Sequence, residues 1–132
     1  MKLGDVARFP SDQAIGHHLR EKIHIFVGKT TDHRASDEYA FLFISSGNHA
    51  DCFPIEQCAY PGFLAYDSFI SCGGMAFYSY EYLKTLNLRK LGALSDDCLS
   101  RLRDHLANHD IMETWQCNMA CKAIDAALSA RN

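Results

Sequence analysis

No apolar run in these 132 residues approaches the roughly 20 needed for a transmembrane helix. The opening MKLGDVARFPSDQ has no apolar core of the kind that a secretory signal peptide carries. The expectation is a soluble, cytoplasmic protein without a membrane partner. There is no excess of positive charge either. Thirteen Lys and Arg against sixteen Asp and Glu leave a formal charge of −3, so a nucleic-acid partner would need a local patch. No Gly-rich phosphate loop, HExxH or GxSxG occurs, which removes three common catalytic signatures. The six cysteines contain no CxxC pair at zinc-ligand spacing. They read as reduced thiols, with Cys52, Cys58, Cys72 and Cys98 acting as small buried hydrophobes. No metal and no cofactor are expected. Internal repeats and low-complexity segments are also missing.

What is present is one domain's worth of chain (1–132) with two periodicities. GDVARF (4–9) is a short strand that Pro10 should end. Ser11 could cap a short helix with Ile15, His18 and Leu19 on one face. IHIFVG (23–28) and YAFLFISS (39–46) are apolar on both faces and read as central strands. They flank a polar connector containing Asp32, Arg34 and Asp37. DCFPI (51–55) is a short strand whose Pro54 points to an edge. FLAYDSFISC (63–72) reads as the longest strand. SYEYLKTLN (79–87) is a helical turn. Ser95 then caps a helix with Asp96 and Asp97 at its positive end and Leu99, Leu102 and Leu106 on one face. A second helix begins at Asp110 or Thr114, with Met112, Trp115, Met119, Ala123, Ala127 and Leu128 along a stripe. Strands over about 4–76 and helices over about 79–130 make an α+β chain: a small SH3-like antiparallel β-barrel with C-terminal α-helices.

If the two central strands pair antiparallel, Lys22 and His24 at the head of one meet Ser45 and Ser46 at the tail of the other. The chain then resembles the MazF/PemK (Kid-like) toxin superfamily. GDVARF is similar to its "GDVVLVDFP" opening, and LGALSDDCLSRLRDHL (91–106) to its "LGxLSDEELxxVxxAL" ending. KIHIFVG sits where the family has "RPxLVLS", and FLFISS where it has "LxPITS". The likeness is to a divergent PemK-like branch and covers about residues 4–106. It implies a compact barrel, usually a homodimer, neutralised by an antitoxin protein. Many members are metal-independent endoribonucleases acting on single-stranded RNA, and a CcdB-like branch poisons gyrase. Carried over, the family's catalytic Arg falls on Lys22, and its Thr or Ser on Ser45 or Ser46. Lys is a point charge where Arg offers a planar fork, so Arg20 is a substitute candidate.

Cleavage through the 2′-hydroxyl needs a base, a cation for the charged phosphorane and an acid for the leaving oxygen. His24 has the intrinsic pKa for base or acid. Lys22 or Arg20 could hold the phosphate, and Ser45 or Ser46 could donate a hydrogen bond. Tyr66 could stack on a base, and Asp67 would face solvent or a groove beside it. Competing readings make His24 a core histidine, the serines turn formers and Lys22 a solvated charge. The corresponding alternative function is a non-catalytic barrel that binds a protein or nucleic-acid partner in toxin–antitoxin or phage–host conflict.

Overall fold

A computed structural model describes residues 1–11, 19–30, 38–47, 52–108, 110 and 112–131. Seven strands form one antiparallel sheet that curls into a half-barrel, with helices following. The strands are β1 (Asp5–Ser11), β2 (Arg20–Thr30), β3 (Glu38–Ser45), β4 (Phe53–Ile55), β5 (Ser68–Ile70), β6 (Ala76–Ser79) and β7 (Arg89–Ala93). The helices are α1 (Tyr80–Thr85), α2 (Asp96–Ala107) and α3 (Thr114–Ala130). Strand order is β4-β5-β3-β2-β1-β7, and β6 pairs with the first half of β3. No helix among the described residues is long and apolar enough to cross a membrane.

Alternation of side chains sorts the sheet into two apolar faces. On one, Val6, Ile25 and Leu42 stand in register across β1, β2 and β3. They join Leu99, Leu102 and Leu106 of α2 and Ile124 of α3 in the main core. On the other, Ala7, Phe9, Phe26, Phe41 and Tyr78 pack together and are covered by Leu83 of α1. The central strands are apolar on both faces because both faces are covered. Gly28 sits at a break in the β2–β3 register with φ +150, where a β-carbon would lie 3.5 Å from Ala123 of α3. A glycine there lets the strand take the positive φ of the bulge, while a β-carbon would meet α3 only in ordinary contact.

The cap expected at Ser95 forms, and Ser79 caps α1 in the same way. The Ser79 hydroxyl accepts from the Tyr82 N–H at 3.1 Å, and the Ser95 hydroxyl from the Cys98 N–H at 3.1 Å. Pro54 lies exposed on the edge strand β4, as its missing N–H requires.

Several boundaries differ from the sequence reading. Pro10 does not end β1, which continues to Ser11. β7 pairs only with Asp5–Arg8, so beyond Arg8 one edge of β1 is open and a residue without an N–H is tolerated. Residues 89–93 are strand rather than part of a helical block, because β1 offers them an open edge. The stretch 63–72 is strand only at 68–70. Ser11 belongs to β1, Leu19 lies exposed outside any element and Arg20 opens β2, so the expected helix does not form at either end; residues 12–18, with Ile15 and His18, lie outside the described residues. So do Asp32, Arg34 and Asp37. The buried stripe of α3 is Cys117, Ala120, Cys121 and Ile124, while Trp115 is exposed and stacks on Phe77 at 5.7 Å. None of the six cysteines forms a disulfide, and Cys58 is exposed rather than buried.

Candidate functional site

Pairing of β2 with β3 runs from Ile23↔Ile44 through His24↔Phe43, so continuing it brings Lys22 opposite Ser45. The expected meeting of the two strand ends therefore occurs. Its members nevertheless divide between the two faces of the sheet.

His24 shares a face with Ala7 and Phe43 and is 0% exposed. Its ring stacks on Phe9 with centroids 3.7 Å apart and planes 11° from parallel. Both nitrogens are used: Nδ1 lies 2.9 Å from the Lys22 carbonyl and Nε2 lies 2.9 Å from the Tyr78 hydroxyl. A carbonyl only accepts, so Nδ1 carries the proton and Nε2 takes the Tyr78 proton. The contact between Tyr78 and the buried Ser11 hydroxyl, at 2.5 Å, then uses the serine's proton. Burial pushes the imidazole down to about 4; the Lys22 carbonyl opposes this and the Lys22 charge adds to it. His24 is thus a neutral core histidine. A general acid or base must reach substrate, and this ring reaches only the core.

Lys22 lies half-buried with its ammonium 5.5 Å from the centre of the Phe43 ring. Burial lowers its pKa, and the nearby Arg20 charge lowers it further, so the two cations are neighbours at the exposed start of β2. Asp67 spends Oδ1 on the Gln57 backbone N–H at 2.9 Å. It is a loop tie, not a group aimed into a groove.

The opposite face carries what the sequence reading missed. Arg8 stands in one row with Ile23, Ile44 and Ile70 across four strands. Residues 63–66 pass over this row and enclose a cleft of ≈ 130 Å³. Arg8, Ile23 and Ile44 form part of its lining, with Phe63, Leu64 and Ser68, and Ser45, Ser46 and Tyr66 line it too. Three of the residues singled out from sequence therefore share a cleft, with Arg8 as its cation.

The electrostatics of Arg8 are unusual. Its Nε is buried and has no hydrogen-bond partner among the described residues. Across the β1–β7 pair its direct neighbour is Arg89, a second cation. Like charges opposite each other on paired strands repel, and a buried donor without an acceptor costs about 1–3 kcal/mol. No carboxylate lines the cleft among the described residues. An anion seated there would accept from the guanidinium and relieve both penalties. Register turns the Ser45 side chain to the Lys22 face, so of the two serines Ser46 is the one whose hydroxyl can add a hydrogen bond, and the Tyr66 ring is 59% exposed at the same cleft.

A clue to Arg8 was available. In GDVARF the alternation places Arg8 on the same face as Val6, where a core residue is expected. Neither protein-family models nor curated proteins give a match to this sequence.

Proposed function

We propose that the chain is a small SH3-like, PemK-like barrel that binds single-stranded RNA, holding a backbone phosphate in the Arg8 cleft. The observation that carries this is the buried Nε of Arg8, without a hydrogen-bond partner among the described residues, in a cleft lined by Ser45, Ser46 and Tyr66 and, among the described residues, by no carboxylate. A guanidinium suits a phosphate because its fork matches two oxygens. An exposed ring beside it suits an unpaired base. The homodimer and the antitoxin partner implied by the resemblance belong to the same proposal.

Binding is favoured over cleavage by the placement of His24. Among the described residues, the cleft lining holds no histidine and no carboxylate to move a proton near neutral pH. Cleavage remains the second reading, because a cation and an adjacent hydroxyl can stabilise a phosphorane without metal. The test is fluorescence anisotropy with a labelled single-stranded oligoribonucleotide in EDTA at low salt, with the RNA then resolved on a denaturing gel. Arg8→Ala should weaken binding by about 10- to 100-fold, the scale of a hydrogen bond to a charged group. Arg8→Lys should recover part of that. Equal affinity of wild type and Arg8→Ala would refute the assignment. Intact RNA after long incubation would leave a binding module, whereas 2′,3′-cyclic phosphate ends would establish the ribonuclease.

A further inference from the structure

One wall of the Arg8 cleft comes from a loop that is tied at several points. The Gln57 N–H donates to Asp67 Oδ1 at 2.9 Å, joining the loop's two ends. The N–H groups of Phe63 and Leu64 both donate to the Tyr60 carbonyl, at 3.3 and 3.0 Å. The Tyr60 hydroxyl leaves the loop to accept the Ser95 N–H at 3.1 Å and lies 3.3 Å from the Ser95 hydroxyl. Phe63 lies on Gly92, where a β-carbon would stand 3.1 Å from the ring. Leu64, 4% exposed, roots the loop in the main core. On this fixed backbone stands the Tyr66 ring, more than half exposed, its hydroxyl without a hydrogen-bond partner among the described residues. Tyr66 contributes little to folding from there, yet the loop beneath it is held from both ends.

We propose that the cleft is a one-nucleotide subsite in which Arg8 holds the phosphate and Tyr66 carries the base, with Tyr60 and Asp67 as positioning residues that keep the Tyr66 wall in place. This rests on the phosphate reading above. A volume of ≈ 130 Å³ accepts a phosphate and part of a sugar but not a base as well. The base must therefore lie outside, at the mouth, where Tyr66 offers a flat apolar face. Stacking of this kind tolerates any base, because each has a π-face. Asp67 acts through Gln57 and not through its charge: its oxygen is committed to an N–H, and a free carboxylate beside a phosphate would repel it.

The experiment is an NMR titration of the full chain with inorganic phosphate, ribose 5-phosphate and the four nucleoside 5′-monophosphates. The wild type should bind each nucleotide about tenfold or more tighter than ribose 5-phosphate, the increment of one stacked base. Tyr66→Ala should bring that ratio near one. Tyr60→Phe, which keeps the ring against Phe63, should lower the ratio severalfold, and Asp67→Ala should do the same. Asp67→Asn should restore it, because the amide oxygen still accepts the Gln57 N–H. Phosphate binding with a wild-type ratio near one would overturn the subsite while leaving the phosphate site standing. Absence of any phosphate-induced shift around Arg8 would overturn both. A ratio lost equally in Asp67→Asn and Asp67→Ala would overturn the positioning role.

Discussion

Acidification should unlock the fold through His24. In the folded chain the ring is buried, stacked on Phe9 and held at about 4, whereas an unfolded histidine titrates near 6.5. Between those values the unfolded chain binds the proton and the folded chain does not. Stability therefore falls as pH drops through about 6.5, and the loss is complete below about 4. A gap of roughly 2.5 pH units at about 1.36 kcal/mol each gives about 3 kcal/mol. That is a large part of the roughly 5–15 kcal/mol a domain has in total. The assay is urea unfolding of wild type and His24→Phe at several values between pH 7.5 and 4. Phenylalanine keeps the stack but gives up two hydrogen bonds, so at pH 7.5 the variant should be weaker by about 1–3 kcal/mol. Toward pH 4 the difference should shrink by about 3 kcal/mol and can change sign, because only the wild type pays to charge a buried ring. Contributions common to both proteins cancel in the difference. A difference constant across that range would refute the buried neutral state. So would an imidazole NMR titration of His24 centred above 6.

Further expectations concern other elements. Ser95→Ala should cost about 1 kcal/mol in chemical denaturation, because the Cys98 N–H loses its acceptor. Gly28→Val should destabilise by about 1 kcal/mol or more, since φ +150 is strained for a β-branched residue and α3 lies against it; an unchanged urea midpoint would show that the bulge relaxes. Arg8→Met should raise the melting temperature of the free protein while weakening RNA binding, because it removes a buried donor without an acceptor. A lowered melting temperature would mean that Arg8 supports the fold.

Elements with a strong period were legible in the sequence. Leu99, Leu102 and Leu106 announced α2, and Ser95 its start, because helical period and cap chemistry are both local. The apolar runs of β2 and β3 were equally plain. β7 was not, since RKLGA has no period of its own and becomes a strand only because β1 has an edge to offer. FLAYD read as strand because its alternation is genuine, yet Asp67 bonds back to Gln57 and turns the stretch into a loop. At the site, sequence brought Lys22, His24, Ser45 and Ser46 to one end of the sheet correctly. Which face each residue occupies is set by register, and what covers that face is tertiary information. Histidine is equally at home in a core and in an active site, and only the Phe9 stack and the Tyr78 hydroxyl separate the two cases. Arg8 was passed over because a single charge in a short apolar strand looks like a solvated edge residue.

The position of β1 in the sheet has a consequence for how the chain is made. β1 emerges before β2 and can pair with it almost at once, but among the described strands its other edge is closed by β7, through pairs such as Asp5↔Ala93. The Gly4 carbonyl then accepts the Leu94 N–H, and Arg131 reaches the Leu3 carbonyl. Until residue 93 has left the ribosome, β1 presents an open hydrogen-bonding edge, with Val6 beside it and no α2 to cover that face. Closure over so long a separation is slow, and an open apolar edge invites pairing with another chain. Chains truncated before Arg89 should therefore aggregate rather than fold to a smaller sheet, and a chaperone that engages the growing chain would find its target in the first strand.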